Sequence, residues 1–296
     1  MTVEAMSSQT SDNACLACGH ATEAGLSSWH RICPECRYES GGLQPMINDE
    51  AAHHSIDEQD REAGLREIRL ENFKDILTLI EANSASASRR VLDVGCAHGW
   101  FLEAAAAARY SVLGVEPDAK VFEATAARGL PVRKGYFPEA LQPDEQFDVI
   151  VFNDVFEHIP DVHSIAAVCH QRLAPGGLLV LNLPNSRGFF YRLSKVFARA
   201  GWTGPFERLW QKGFPSPHVH FFNATNLTGV VSRHGFRLEK STELPSVRAK
   251  GMLARMRFDN TASPVSVWIQ YLGTMALLPL TRLFPSDVLV CLYRRD

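Results

Sequence analysis

The stretch Val91-Leu-Asp-Val-Gly-Cys-Ala-His-Gly-Trp100, followed by Val112-Leu-Gly-Val-Glu116, decides the fold. Val91, Leu92 and Val94 make an apolar run of strand length. Gly95 and Gly99 then allow a tight turn and a close approach of backbone to a ligand, because glycine carries no Cβ. Phe101 to Ala108 is alanine-rich and predicts a helix whose N-terminus points at the same place. A second strand ends in Glu116, whose carboxylate suits the two hydroxyls of a ribose. Strand, glycine turn, helix and an acid about 20 residues on is the nucleoside-binding half of a doubly wound sheet.

The glycine spacing alone is ambiguous. It reads Gly-x-x-x-Gly, with Ala97 where a dinucleotide fingerprint places its middle glycine. A pyrophosphate needs bare backbone amides at a helix N-terminus, and this loop is not built to offer them. Further segments follow in order: Gln146-Phe-Asp-Val-Ile-Val-Phe-Asn-Asp-Val-Phe-Glu-His-Ile-Pro160, Leu173-Ala-Pro-Gly-Gly-Leu-Leu-Val-Leu-Asn-Leu-Pro-Asn185, Phe221 to Phe236, and Asp287-Val-Leu-Val-Cys-Leu-Tyr293.

Asp93-x-Gly95-Cys96-Ala97-x-Gly99 resembles motif I of the Rossmann-like S-adenosylmethionine-dependent methyltransferases. The later segments resemble that family's fourth strand, its Pro-Gly-Gly turn and fifth strand, its approach to strand six, and its last antiparallel strand. The resemblance runs from Val91 to the C-terminus and is informative about fold and cofactor rather than substrate. It implies an α/β fold: a Rossmann-like, seven-stranded, mostly parallel sheet with helices on both faces. Asp93, Gly95, Cys96, Ala97 and Gly99 would face the methionine end of the cofactor, with Cys96 there for its size. Glu116 and Pro117 would lie at its ribose, and Asn153 and Asp154 near its amino-acid part. Where the family often shows glycine and an acid after strand three, Gly135 is followed by Tyr136 and Phe137, implying aromatic flanks for the adenine.

The strand–helix alternation agrees. Val91–Val94, Val112–Val115, Val132–Lys134, Val149–Phe152 and Leu178–Leu181 read as strands of a mainly parallel sheet. Asp57 to Ala82, with Leu65, Ile68, Phe73, Ile76, Leu77 and Ile80 near helical spacing, reads as a helix packing outside that sheet.

Upstream, Cys15-x-x-Cys18 and Cys33-x-x-Cys36 carry a metal signature. Two knuckles bring four thiolates to the corners of a tetrahedron, and four soft sulfurs select structural Zn2+; two disulfides or unliganded thiols are the alternatives. Gly19 and Pro34 stand where knuckle turns need special backbone. A unit this small buries no core of its own and depends on the metal. The chain therefore divides into a disordered tail (1–13), a zinc ribbon (14–41), a linker (42–56) and a methyltransferase domain (57–296). Segments 187–222 and 245–284 read as acceptor-side lids or insertions.

A chain of 296 residues with 46% hydrophobic and 21% charged residues buries a full core. The polar first dozen residues are no secretory signal, and seven cysteines without one point to reduced thiols in the cytoplasm. The net charge of −3 hides asymmetry: Arg187 to Arg257 holds thirteen Lys/Arg against Glu207, Glu239 and Glu243. That segment either meets something anionic or is a solvated basic surface. Residues 187–214 interleave Arg187, Arg192, Lys195, Arg199, Arg208 and Lys212 with aromatic side chains. Residues 265–280 are largely apolar and approach the ~20 residues of a membrane span. Gln270, Gly273 and Pro279 argue instead for an interfacial helix touching the membrane's inner face, or a helix covering the cleft or a dimer partner.

Methyl transfer from a sulfonium needs the two reactants held in line, and an oxygen acceptor needs its proton removed. His158, just after strand four, is the first candidate base, or a brace for the turn it sits on. His218 and His220 are the next, or they order their loop. These features favour O-methylation of a sugar hydroxyl or a lipid-linked, amphiphilic acceptor in surface-polysaccharide or related biosynthesis. A quinone precursor is the close alternative, since the core resembles ubiquinone-biosynthesis O-methyltransferases. An RNA methyltransferase gripping phosphates is weaker, because Asn153-Asp154-Val155-Phe156 lacks the Pro-Pro of base-amino methylation. A non-catalytic binding module is opposed by the retained Asp93, Gly95, Gly99 and Glu116.

Overall fold

The computed structural model describes residues 13–44, 58–84, 89–247, 252–253 and 263–296, without the side chains of 58–65. The expected tail up to residue 12, most of the expected linker, the polar break at 85–88, the side chain of Leu65 and most of the basic stretch 248–257 lie outside the described residues.

The large sheet has seven strands: β4 (Arg90–Val94), β5 (Ser111–Glu116), β6 (Val132–Lys134), β7 (Phe147–Asn153), β8 (Leu173–Pro184), β10 (Phe236–Leu244) and β11 (Val288–Arg295). Their order is β10-β11-β8-β7-β4-β5-β6. Only β11 runs against its neighbours, pairing antiparallel with both β8 and β10. The five strands expected from the alternation are all present: β6 has the expected bounds, and the others are extended by up to five residues at their ends.

Buried strands here still alternate. Leu92, Val94, Ile150, Phe152, Leu179 and Leu181 face one core, together with Phe222, Leu227 and Val230. Val91, Val149, Val151, Leu178 and Val180 face the other. Helix α1 (Glu58–Asn83) covers that second face with Phe73, Ile76, Leu77 and Ile80, beside Trp100 and Phe101 of α2 (Trp100–Ala107). Both faces being covered explains why β7 is apolar throughout its middle. Helices α3 (Ala119–Ala127) and α4 (Val162–Arg172) are each capped by an aspartate, Asp118 and Asp161.

β4 pairs with β5 on one side and β7 on the other, and the chain order reverses between β4 and β7. The crevice beyond their carboxyl ends is where an open α/β sheet binds ligands.

The cysteine segment does not stand apart from this domain. β1 (Glu23–Ala24), β2 (His30–Ile32) and β3 (Glu39–Gly41) form an antiparallel sheet whose fourth strand is β9 (His220–Phe221), contributed by the large domain. Cys15, Ala17, Cys33 and Tyr38 join the main core. Glu39, 2% exposed, takes hydrogen bonds from His30 Nε2 (2.8 Å), Tyr191 Oη (2.7 Å) and Lys195 Nζ (2.5 Å). Tyr191 and Lys195 lie on α5 (Phe189–Arg199), which is followed by α6 (Gly204–Leu209). Asn223 and Asn226 form a capping box on α7 (Ala224–Val231), and the Asn226 amide also donates to the Cys36 carbonyl (3.2 Å). A free-standing ribbon would not need this buried polar lattice.

The apolar segment before the last strand is α8 (Pro264–Thr281), of which only Val267 is buried. No described helix is long and apolar enough to cross a membrane.

Candidate cofactor and acceptor site

The turn after β4 is left-handed at three places: Gly95 (φ 68°), Ala97 (φ 44°) and Gly99 (φ 71°). A Cβ on Gly95 would stand 2.6 Å from Val155 Cγ2, and one on Gly99 would overlap Leu130. The two glycines are thus required by backbone conformation and by neighbouring protein atoms, a stronger reason than approach to a ligand. Cys96 fills the space above Gly114 of β5, where an added Cβ would come within 2.6 Å of its sulfur. Its size is what fits.

Glu116 ends β5 and is 7% exposed. One oxygen accepts from the Ala97 amide and the other from the Asp118 amide, both at 2.9 Å. Those bonds fix the carboxylate against the motif I loop. Burial raises its pKa while the two amides oppose the rise. Asp93 is 1% exposed and accepts from Asn153 Nδ2 at 3.2 Å. Burial pushes its carboxyl up to about 8, with Glu116 adding repulsion. Two buried acids at the carboxyl ends of β4 and β5 suit a ligand that brings positive charge.

A cleft at the carboxyl end of β4 is lined by Arg69, Phe73, Asp93, Gly95, Cys96, Ala97, His98, Trp100, Phe101 and Asn153. Asp93, Gly95, Cys96, Ala97 and Asn153 are therefore brought together as expected. Asp154 (φ 54°) sits beside them, held by Arg69 Nη2 at 2.9 Å. Gly99, Glu116 and Pro117 do not line this cleft; Glu116 meets it only through the Ala97 amide that it accepts from. Tyr136 is 54% exposed, while Phe137 turns into the core edge-on to Phe152. An adenine flank by Phe137 would need that core contact to open. Arg69 and Phe73 from α1, with His98, Trp100 and Phe101, also line the cleft and were not among the expected site residues; only the helical register of 57–82 hinted at the first two.

Beyond β7 the chain makes a tight 3-10 turn, Phe156–His158. His158 Nδ1 donates to the Pro217 carbonyl at 2.8 Å, which leaves the lone pair on Nε2. That Nε2 stands 3.8 Å from Glu157 Oε1, and His218 Nε2 stands 3.9 Å from the same oxygen. Glu157 is 1% exposed, and neither carboxyl oxygen has a hydrogen-bond partner among the described residues. Burial, reinforced by Asp154, holds its pKa well above the usual carboxylate range. Ligand atoms of Glu157, His158 and His218 all lie within 4.8 Å of one another, a grouping able to hold a proton or a cation. The Val219 amide donates to the Glu157 carbonyl at 2.9 Å, so strand β9 and this turn are tied together.

His220 is placed differently. Its Nδ1 contacts the Tyr38 hydroxyl, its Nε2 donates to the Ile159 carbonyl at 2.9 Å, and burial lowers its pKa to about 4. Both nitrogens are engaged, which is the geometry of a strut between ribbon and sheet. Sequence could not separate it from His218, two residues away.

The cysteines meet as expected. Cys15 Sγ lies 3.5 Å from Cys36 Sγ and Cys18 Sγ 3.5 Å from Cys33 Sγ, with all four sulfurs within 4.8 Å. A zinc tetrahedron with ~2.3 Å bonds has edges of about 3.8 Å, so the set fits Zn2+. Gly19 (φ 81°) and Arg37 (φ 61°) occupy equivalent places after the two knuckles, and their amides bond back to the Cys15 and Cys33 carbonyls at 2.8 and 3.1 Å. The special backbone of the second knuckle is therefore at Arg37, not at Pro34.

Residues 65–241, more than half of the chain, match the sequence family described as "Methyltransferase domain". The chain belongs to that methyltransferase family. This methyltransferase is 29% identical over 207 residues to the mitochondrial ubiquinone biosynthesis O-methyltransferase of Rattus norvegicus, covering 64% of this chain and 58% of that protein. It is 33% identical over 130 residues to the ubiquinone biosynthesis O-methyltransferase of Methylococcus capsulatus, covering 41% and 54%. The chain spans roughly half the length of the curated relatives it matches. Among solved structures, a SAM-dependent methyltransferase from Archaeoglobus fulgidus aligns at a TM-score of 0.50 and 18% identity, over 78% of this chain and 97% of that one. The magnesium protoporphyrin IX methyltransferase of Synechocystis with bound SAH aligns at 0.50 and 11%, over 80% and 86%. Those two likenesses concern the fold. Family and fold agree: the chain carries a methyltransferase domain on a seven-stranded, mostly parallel sheet.

Proposed function

We propose that this enzyme transfers the methyl group to a hydroxyl oxygen of an amphiphilic acceptor, a sugar hydroxyl or carrier-linked glycan, with His158 as the base. The observation that carries the reading is the Glu157–His158–His218 cluster, immediately past the strand whose end lines the cofactor cleft. When bound, the cofactor supplies an electrophilic methyl on sulfur. Glu116 would hold the ribose hydroxyls, and Asp93 the cationic end. Arg69, swung from Asp154, would meet the cofactor carboxylate. An acceptor hydroxyl in line with that methyl would lose its proton to His158 Nε2. The Pro217 carbonyl fixes the tautomer that makes this possible. His220 would act through position only, and Tyr136 would edge the adenine side.

A phenolic quinone precursor is the second reading, favoured by the names of the matched relatives. We place the ribbon, residues 14–41, inside one folding unit with the domain 57–296, and the reaction on the cytoplasmic side. The test is His158→Asn assayed with S-adenosylmethionine on both acceptor classes. Loss of a general base lowers kcat by about 10²-fold or more and flattens the acid limb of the pH profile, with unchanged SAH affinity. A variant of full activity would remove His158 from the mechanism. Turnover of phenols alone would replace the acceptor.

A further inference from the structure

α8 lies beyond the family-matched segment and is turned inside out for a globular helix. Val265, Trp268, Ile269 and Leu272 follow i, i+3, i+4, i+7 spacing and are 69%, 46%, 67% and 62% exposed. The stripe continues through Leu280, Leu283 and Phe284, all exposed, and no charged residue stands between Asp259 and Arg282. Single exposed apolar side chains are ordinary, but a continuous row marks a contact surface.

The row runs into a basic helix. Phe284 packs on Phe189 at 5.2 Å between ring centres, and the Phe189 amide donates to the Pro285 carbonyl, so the end of α8 meets the start of α5. On α5, Arg192, Val196 and Arg199 are exposed at helical spacing, followed by Trp202 at 62%. Arg187, Arg192, Arg199 and Arg282 are exposed and make no ion pair among the described residues. Apolar stripe, exposed tryptophans and arginines are what an anionic bilayer interface binds. A second copy of the chain is a poorer match, since a two-fold contact would bring like-charged arginines together.

We infer that α8 and the outer face of α5 form a docking surface for an anionic lipid bilayer, with α8 lying in the interface plane. This deepens the amphiphilic-acceptor reading and rests on it for its purpose: docking here would bring the cleft to acceptors that cannot leave the membrane.

The test is co-sedimentation of the full chain with phosphatidylcholine vesicles and with phosphatidylcholine–phosphatidylglycerol vesicles. Wild type should pellet with the anionic vesicles only. I269S/L272S and R192E/R199E should each lower the partition coefficient at least tenfold, with SAH affinity unchanged as the check on folding. Wild type that stays in the supernatant, or binding that neither pair alters, overturns the inference. So does a wild-type dimer that I269S/L272S converts to monomer, which would assign the stripe to a second copy. Vesicle binding with turnover of only water-soluble acceptors would sink the acceptor reading and leave the docking surface intact.

Discussion

Asp93 is the residue whose chemistry follows most directly from its surroundings. Its carboxyl, pushed up to about 8 by burial, is largely protonated in the ligand-free protein at neutral pH. A cationic ligand favours the carboxylate, so binding lowers this pKa and releases a proton. The sign follows: affinity is full above about pH 8 and falls as pH drops below it, by roughly tenfold per unit until the bound-state value is reached. Calorimetry with S-adenosylmethionine in buffers of different ionisation heat should show that slope and the released proton, and Asp93→Asn should flatten it. A wild-type affinity independent of pH from about 6 to 9 would contradict it. At this scale the sequence showed the acids and small residues of motif I, because their spacing is local. It did not show Arg69 and Phe73, which reach the cleft through the packing of α1 on the sheet. Nor did it show that the left-handed residue of the second knuckle is Arg37.

Among elements, β9 is the least legible and the most consequential. Two residues, His220 and Phe221, close the ribbon's sheet, and nothing local predicts that Glu39 and Ser40 are their partners 180 residues away. The strong apolar strands were readable because burial on both faces imposes near-continuous runs. A two-residue strand carries no such period. Tyr38→Phe tests the element. It removes the hydroxyl that meets His220 Nδ1 and leaves that nitrogen buried without a partner. The expected loss is about 1–3 kcal/mol of stability, read from denaturant unfolding, with the SAH site unaffected. An unchanged midpoint would mean the ribbon contributes nothing through this contact.

For the whole molecule, the mainly parallel sheet followed from the strand–helix alternation and its seven strands from the family resemblance, while the strand order and the reversal between β4 and β7 come from the structure. The merging of ribbon and domain did not, since the sequence places a linker between them. The merger has a measurable consequence. Stripping zinc with a chelator should do more than loosen 14–41. It should release β9 and its tie to Glu157, abolishing methyl transfer more completely than it weakens SAH binding. Far-ultraviolet dichroism and SAH calorimetry on the same chelated sample would show this. Full activity after verified metal removal would make the ribbon an appendage.

The central claim is that the cleft beside Glu116 holds S-adenosylmethionine. Titration of SAH into wild type and Glu116→Ala tests it most directly. Wild type should bind one equivalent, and the variant should bind at least tenfold more weakly, on the order of 2–4 kcal/mol for two charge-assisted bonds, with an unchanged dichroism spectrum. Equal affinities, or no heat from wild type, would contradict the assignment.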